Sequence, residues 1–208
     1  MRERCQVSGF RCQGGADADR KLVLASGSAR RRKILAELGV EFAVEVPDVE
    51  EVCLAADPRA TVCENARRKA DWATGCWPDA AVVAADTVID FRGRAVNKPG
   101  SLDDARAMFR AFSGAAHDVL TGVALRAPGG RPEIHLATST VHFRDLTDGD
   151  IEAYFARVDP LDKAGAYDID REPELIIASF SGSRTNIMGL PRGIVRAWLE
   201  KREIGAAG

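Results

Sequence analysis

The chain has 208 residues, 46% of them hydrophobic and 29% charged, with a formal net charge of −2. That length supports one large α/β domain, or two small lobes around a cleft, burying about 70% of the unfolded surface. The near-neutral charge and 6% aromatic content exclude a dedicated nucleic-acid coat, and five cysteines, odd in number and without a C-x-x-C pair, suggest neither a disulfide framework nor a zinc site.

Residues 1–20 carry charges and glycines but no apolar leader core. They are expected to form a disordered or weakly ordered extension before a domain over residues 21–203. No run of about 18 apolar residues occurs, so a cytoplasmic protein without membrane contact is expected. In chain order, the periodicity predicts strand 21–26, helix 28–38, strand 41–46, helix 59–74, a buried strand 80–85 and a hairpin of 87–91 with 94–97 around Arg92-Gly93. Helix 101–112 starts on Ser101, with Asp103 and Asp104 where the helix dipole favours them. Strands 116–126 and 133–143 flank Ala127-Pro128-Gly129-Gly130-Arg131-Pro132, a hairpin signal. Thr147 caps helix 148–157, a strand or loop runs over 164–181, and helix 191–202 closes the chain. Mixed parallel and antiparallel signals indicate an α/β (α+β) mixed sheet with helices on both faces.

Ser28 reads as a helix cap, which puts Arg30, Arg31 and Arg32 in the first turn. There the dipole disfavours each exposed cation by ~0.3–1 kcal/mol. A phosphate reverses the sign, because backbone N–H groups, the dipole and forked guanidinium donors converge on it. A solvated basic face on a surface helix would carry the same residues. Asp86 follows Ala80-Ala81-Val82-Val83-Ala84-Ala85 and is expected beyond the C-terminal end of that strand, where open sheets bind ligands. A carboxylate there holds a divalent cation or deprotonates water, or else caps a turn at Thr87. Glu50 and Glu51 offer oxygen ligands or a solvated loop. Lys69 on its helix, Lys98 before Pro99 and Lys163 before small residues add cations. Cations that neutralise developing charge, with carboxylates that hold metal and water, are what metal-assisted cleavage of a nucleoside polyphosphate requires. His117, His135 and His142 read as packed or surface imidazoles. No G-x-S-x-G elbow or Walker A sequence occurs.

Leu24-Ala25-Ser26-Gly27-Ser28-Ala29-Arg30-Arg31, Val49-Glu50-Glu51, Ala66-Arg67-Arg68-Lys69-Ala70, Ala85-Asp86-Thr87-Val88, Asn97-Lys98-Pro99, Phe112-Ser113-Gly114 with His117, Asp162-Lys163-Ala164-Gly165-Ala166-Tyr167 and Gly189-Leu190-Pro191 follow one another here. In that order they resemble the Maf family of nucleoside triphosphate pyrophosphatases, over roughly residues 21–200. The resemblance implies a two-lobed fold similar to inosine triphosphate pyrophosphatase with a central cleft, a homodimer, and hydrolysis of a nucleoside triphosphate to its monophosphate and pyrophosphate with Mg²⁺ or Mn²⁺. It implies Ser28, Arg30 and Arg31 at the phosphates, Glu51 and Asp86 near metal and water, and Lys69, Lys98 and Lys163 as phosphate or transition-state cations. Asp86-Thr87 and Lys163 to Tyr167 look like the branch acting on dTTP and UTP, which adds Thr87 to the substrate contacts. The branch acting on 7-methyl-GTP typically shows Asp-Gln and Cys-Ala-Gly-Ser-Phe at these places. One departure stands out: Asp168-Ile169-Asp170 replaces the usual Gly-Ile-Gln, and Asp170 is expected to bring an extra anion to the polyphosphate. A pyrophosphatase for a modified nucleotide, or a nucleotide-binding regulator with reduced turnover, would share most of these residues.

Overall fold

The computed structural model describes residues 22–54 and 57–204. The expectation for residues 1–20 lies outside the described residues. Buried Leu22-Val23-Leu24-Ala25 forms β1 (Leu22–Ala25). Helix α1 (Ala29–Ala36) follows, capped by Ser28 as expected, and then β2 (Ala43–Glu45). Asp57 caps α2 (Pro58–Cys76), which has proline at its tolerated first-turn position. Next come β3 (Ala81–Phe91), β4 (Arg94–Val96), α3 (Leu102–Phe112), β5 (Ala116–Arg126) and β6 (Glu133–Phe143). Helix α4 (Asp148–Phe155) begins with a capping box between Thr147 and Asp150. A 3-10 turn (Ala164–Ala166), α5 (Pro173–Ile176), β7 (Ile177–Ser181), α6 (Arg184–Ile187) and α7 (Arg192–Glu200) complete the described chain.

The strands form one sheet in the order β2-β1-β3-β5-β6-β7, with β4 beside β3. β1 runs parallel to β2 and β3, and the other pairs are antiparallel, giving the mixed α/β sheet expected. One difference positions the site. β3 is a single strand through Asp86 rather than two segments, because Asp86 and Thr87 keep their ladder to Gly122 and Thr121 of β5. On its other edge β3 pairs with β1 only as far as Ala84, and with β4 only from Ile89. Residues 85–88 therefore face a gap where the sheet divides into two arms. Asp86 lies beyond the end of β1, not of its own strand.

Strand alternation then separates neighbours. Ala81, Val83, Ala85 and Ile89 join the large core with Phe109, Phe112, Tyr154 and Leu190, and Thr87 shares their parity. Val82 and Ala84 pack instead with Ala66, Ala70 and Ala73 of α2, and Asp86 shares that face. Small side chains bring α2 close to the sheet. At Gly122, opposite Asp86, a Cβ would lie 2.3 Å from the Val62 carbonyl oxygen and 2.7 Å from the Cys63 nitrogen. This close approach lays one face of α2 over Asp86.

The short helices α5 and α6 lie in and after the stretch expected as strand or loop; four residues are too few to register a helical period. No helix among the described residues is long and apolar enough to cross a membrane. Among the described residues, Cys53 and Cys63 are free thiols.

Candidate active site

The divided sheet edge opens into a cleft of about 910 Å³, within the range of about 300–1,000 Å³ of small-ligand sites. Ser28, Arg30, Arg31, Glu51, Lys69, Asp86, Thr87, Lys98 and Lys163 all line it. Of the residues singled out from sequence for the site, Arg32, Glu50 and Asp170 are not in the wall.

On the α2 face, Lys69 is the organising cation. Its ammonium donates to Asp86 Oδ1 at 2.7 Å and reaches Glu51 Oε1 at 2.6 Å. The side chains of Lys69 and Asp86 are 11% and 14% exposed, while Glu51 is 57% exposed. Asn65, one helical turn before Lys69, donates to Asp86 Oδ2 at 3.1 Å. The same amide accepts from the Val52 N–H at 2.8 Å and donates to the Val52 carbonyl at 3.1 Å, fixing the loop that carries Glu51. Asn65 was not singled out from sequence; its signal is the i, i+4 spacing to Lys69 on a buried helix face.

The opposite face is organised by Arg31. Its guanidinium donates to Gly189 O at 2.8 Å, Ser26 Oγ at 3.2 Å and Thr87 Oγ1 at 3.0 Å. Gly189 sits at φ +103, a conformation glycine adopts without strain, and this turns its carbonyl to Arg31. Thr121 donates to the Asn186 carbonyl at 3.2 Å, so Thr87 supplies the hydrogen of the 3.0 Å Thr87–Thr121 contact. The hydroxyl of Thr87 thus accepts from Arg31 and donates to Thr121. Burial pulls the Arg31 pKa below the usual arginine value, with Asp86 acting in the opposite sense. Arg31 borders the cleft, but it also joins the start of α1 to a loop 158 positions away.

Ser28 accepts from the Arg31 N–H at 3.4 Å, and its own N–H is held by Ser26 Oγ at 3.2 Å. Arg30 projects beside Asp168, with Nη1 3.7 Å from Oδ2. The third group of cations is set by the turn at Gly165, whose N–H donates to the Asn97 carbonyl at 3.1 Å and so joins the Lys98 and Lys163 segments. Lys163 pairs with Asp162; that hydrogen bond, with Arg30 and Lys98 adding to it, holds Asp162 below the usual carboxylate range. Gly165 has no room for a side chain, since a Cβ would meet Ile89 Cδ1 at 2.3 Å.

Asp170 turns away from the cleft and pairs with Arg184 Nη2 at 2.8 Å. Asp168 takes the place in the wall that the sequence suggested for Asp170. His117 is packed, as expected. Its Nε2 meets Tyr167 Oη at 2.9 Å, and burial lowers its pKa to about 4.

Comparisons with known proteins identify the family and the fold. A family model described as Maf-like protein matches residues 21–202. A dTTP/UTP pyrophosphatase of Myxococcus xanthus is 42% identical over 182 residues, covering 86% of this chain and 91% of the relative. A dTTP/UTP pyrophosphatase of Akkermansia muciniphila is 40% identical over 171 residues, covering 82% and 90%. The fold is similar to that of the Staphylococcus aureus Ham1 protein, with a TM-score of 0.53 over 87% of this chain and 98% of that one at 15% identity. With this match over residues 21–202 and relatives at 40% and 42% identity over most of its length, the chain belongs to the Maf-like protein family.

Proposed function

We propose that the cleft binds dTTP or UTP and hydrolyses it to the nucleoside monophosphate and pyrophosphate. The observation that carries this reading is the meeting, in one cleft, of two carboxylates on a buried lysine with three further cations, Arg30, Lys98 and Lys163. Arg30 and Lys163 each face a carboxylate already, Asp168 and Asp162, and a triphosphate supplies further anions for these cations and Lys98 to bind. The two curated relatives named for dTTP and UTP support the choice of base.

Water attacks the α-phosphorus, a new P–O bond forms, and the bond to the bridging oxygen breaks with its electron pair leaving on pyrophosphate. Lys69 and Asn65 hold both oxygens of Asp86 in a fixed orientation. Each carboxylate oxygen has two lone pairs, so acceptor capacity remains for the proton of the water. Arg30, Lys98 and Lys163 bind the phosphates and neutralise the charge that grows on the leaving group. The helix start at Ser28 orients the same anion through backbone N–H groups.

A divalent ion fits this donor set. Glu51 and Asp86 already converge on one cation, and two hard carboxylates suit Mg²⁺ or Mn²⁺ when phosphate oxygens and water complete the shell. Among the described residues no group of three or more His, Cys, Asp or Glu is placed to hold a metal without substrate. When bound, the ion supplies charge neutralisation and polarisation at the phosphoryl group. A homodimer in the cytoplasm completes the reading. The test is a screen of common and modified nucleoside triphosphates with Mg²⁺ or Mn²⁺, reading pyrophosphate and orthophosphate separately. Turnover of dTTP and UTP with pyrophosphate release supports the reading; binding without turnover replaces it with a regulator.

A further inference from the structure

Asp168 is a fixed anion in the cleft, set beside Arg30, a cation placed to receive one. Its side chain is 10% exposed, and each carboxylate oxygen has an assignment. Oδ1 accepts from the Asp170 N–H at 3.0 Å, and Oδ2 faces Arg30 Nη1 at 3.7 Å. The backbone is fastened too: the Asp168 N–H donates to Tyr154 Oη at 2.9 Å, beneath the cleft wall. Rotating the carboxylate away would strand the Asp170 N–H, so Asp168 cannot withdraw from Arg30 without cost. The partner cation lies on the first turn of α1, where it serves an incoming phosphate. One guanidinium therefore has two claimants.

We propose that Asp168 is a specificity-determining residue of the nucleotide site, an internal counter-anion that occupies Arg30 and that a polyphosphate has to displace or share. This rests on the reading of the cleft as a nucleotide site. Because the competition is for Arg30, a triphosphate, with more phosphate oxygens to seat on that guanidinium, loses more to Asp168 than a monophosphate does. The Arg30–Asp168 distance exceeds hydrogen-bond range and Arg30 is 38% exposed, which keeps the interaction within that of a partly solvated pair.

The test is Asp168→Asn, which keeps the shape and the acceptor for the Asp170 N–H but removes the charge. Calorimetry with dTTP and with dTMP in EDTA measures affinity without turnover, and initial rates with dTTP and Mg²⁺ give KM. In the variant, Kd and KM for dTTP are expected to fall about fivefold, ~1 kcal/mol, with a smaller change for dTMP. The gain is expected to vanish in an Arg30→Ala background, as a double-mutant cycle requires. Asp168→Ser, another uncharged acceptor, carries the same expectation should the asparagine variant fail to fold. Unchanged or raised Kd and KM, or an equal gain without Arg30, overturns the proposal and leaves Asp168 as a turn former. Wild-type turnover of dTTP in that case preserves the nucleotide reading; a wild-type protein that neither binds nor cleaves any nucleotide refutes both.

Discussion

Replacing Lys69 by methionine tests the best-defined cluster in the molecule. Methionine keeps the length of the aliphatic stem but removes the cation shared by Asp86 and Glu51. The Asp86 arm, at 2.7 Å and shielded from solvent, is a charge-assisted hydrogen bond of about 1.5–3 kcal/mol, and its loss also leaves a shielded carboxylate unpaired. The Glu51 arm is mostly solvated and adds about 0.2–1 kcal/mol. The sum is about 3 kcal/mol, or a drop in Tm of about 6–12 °C for a domain of this size. Because two carboxylates then face each other without a counter-charge, Mn²⁺ at ten times its Kd should return about 1.4 kcal/mol to the variant. Calorimetric scans with and without Mn²⁺ measure both effects. A Tm within 2 °C or so of wild type, or a variant whose Tm ignores Mn²⁺, would refute the argument that Lys69 holds together a cation-binding pair.

Arg30→Ala and Arg31→Ala should behave differently despite being neighbours. Arg31→Ala removes three hydrogen bonds between distant segments and is expected to lower Tm together with kcat/KM, whereas Arg30→Ala loses one long, partly exposed ion pair and should weaken nucleotide affinity with less than about 1 kcal/mol of stability lost, both read by urea titration and initial rates. Gly122→Ala should cost at least about 1–3 kcal/mol and reduce turnover, since the new methyl meets backbone of α2 and pushes Asn65 and Lys69 off Asp86; a normal Tm would show that α2 tolerates the shift. His117 is buried with its pKa lowered to about 4 from 6.5, so the unfolded chain takes up a proton first as pH falls. Stability contributed by the neutral imidazole is present above about pH 6.5 and is lost towards pH 4, by ~3 kcal/mol, a slope that His117→Gln should flatten in urea titrations.

Much of the sheet is legible in the sequence where turn chemistry brackets a long alternating run. β5 and β6 begin and end where the pattern around Ala127-Pro128-Gly129-Gly130 places them. The continuity of β3 is not legible, because Asp86-Thr87 looks like a break until the ladder to β5 is known. The same holds for side-chain roles. Asp86 and Lys69 can be picked out as charges on buried elements, and the resemblance to a family adds their company. The three acceptors of Arg31 cannot, since Gly189 is far off in the chain and only the folded backbone turns its carbonyl inward. A pattern comparison marks both Asp168 and Asp170 as unusual, yet their orientation depends on local backbone. Asp170 meets Arg184 at the surface, and Asp168 enters the cleft.

The central claim, that this cleft cuts a nucleoside triphosphate at its α-phosphorus, is tested most directly by product stoichiometry. Wild type with dTTP or UTP and Mg²⁺ should yield one monophosphate and one pyrophosphate per nucleotide consumed. Asp86→Asn should melt cooperatively yet release neither product at a measurable rate, because the amide cannot take the proton of the water or ligate the ion. Orthophosphate as the product, or undiminished turnover in Asp86→Asn, would contradict the account.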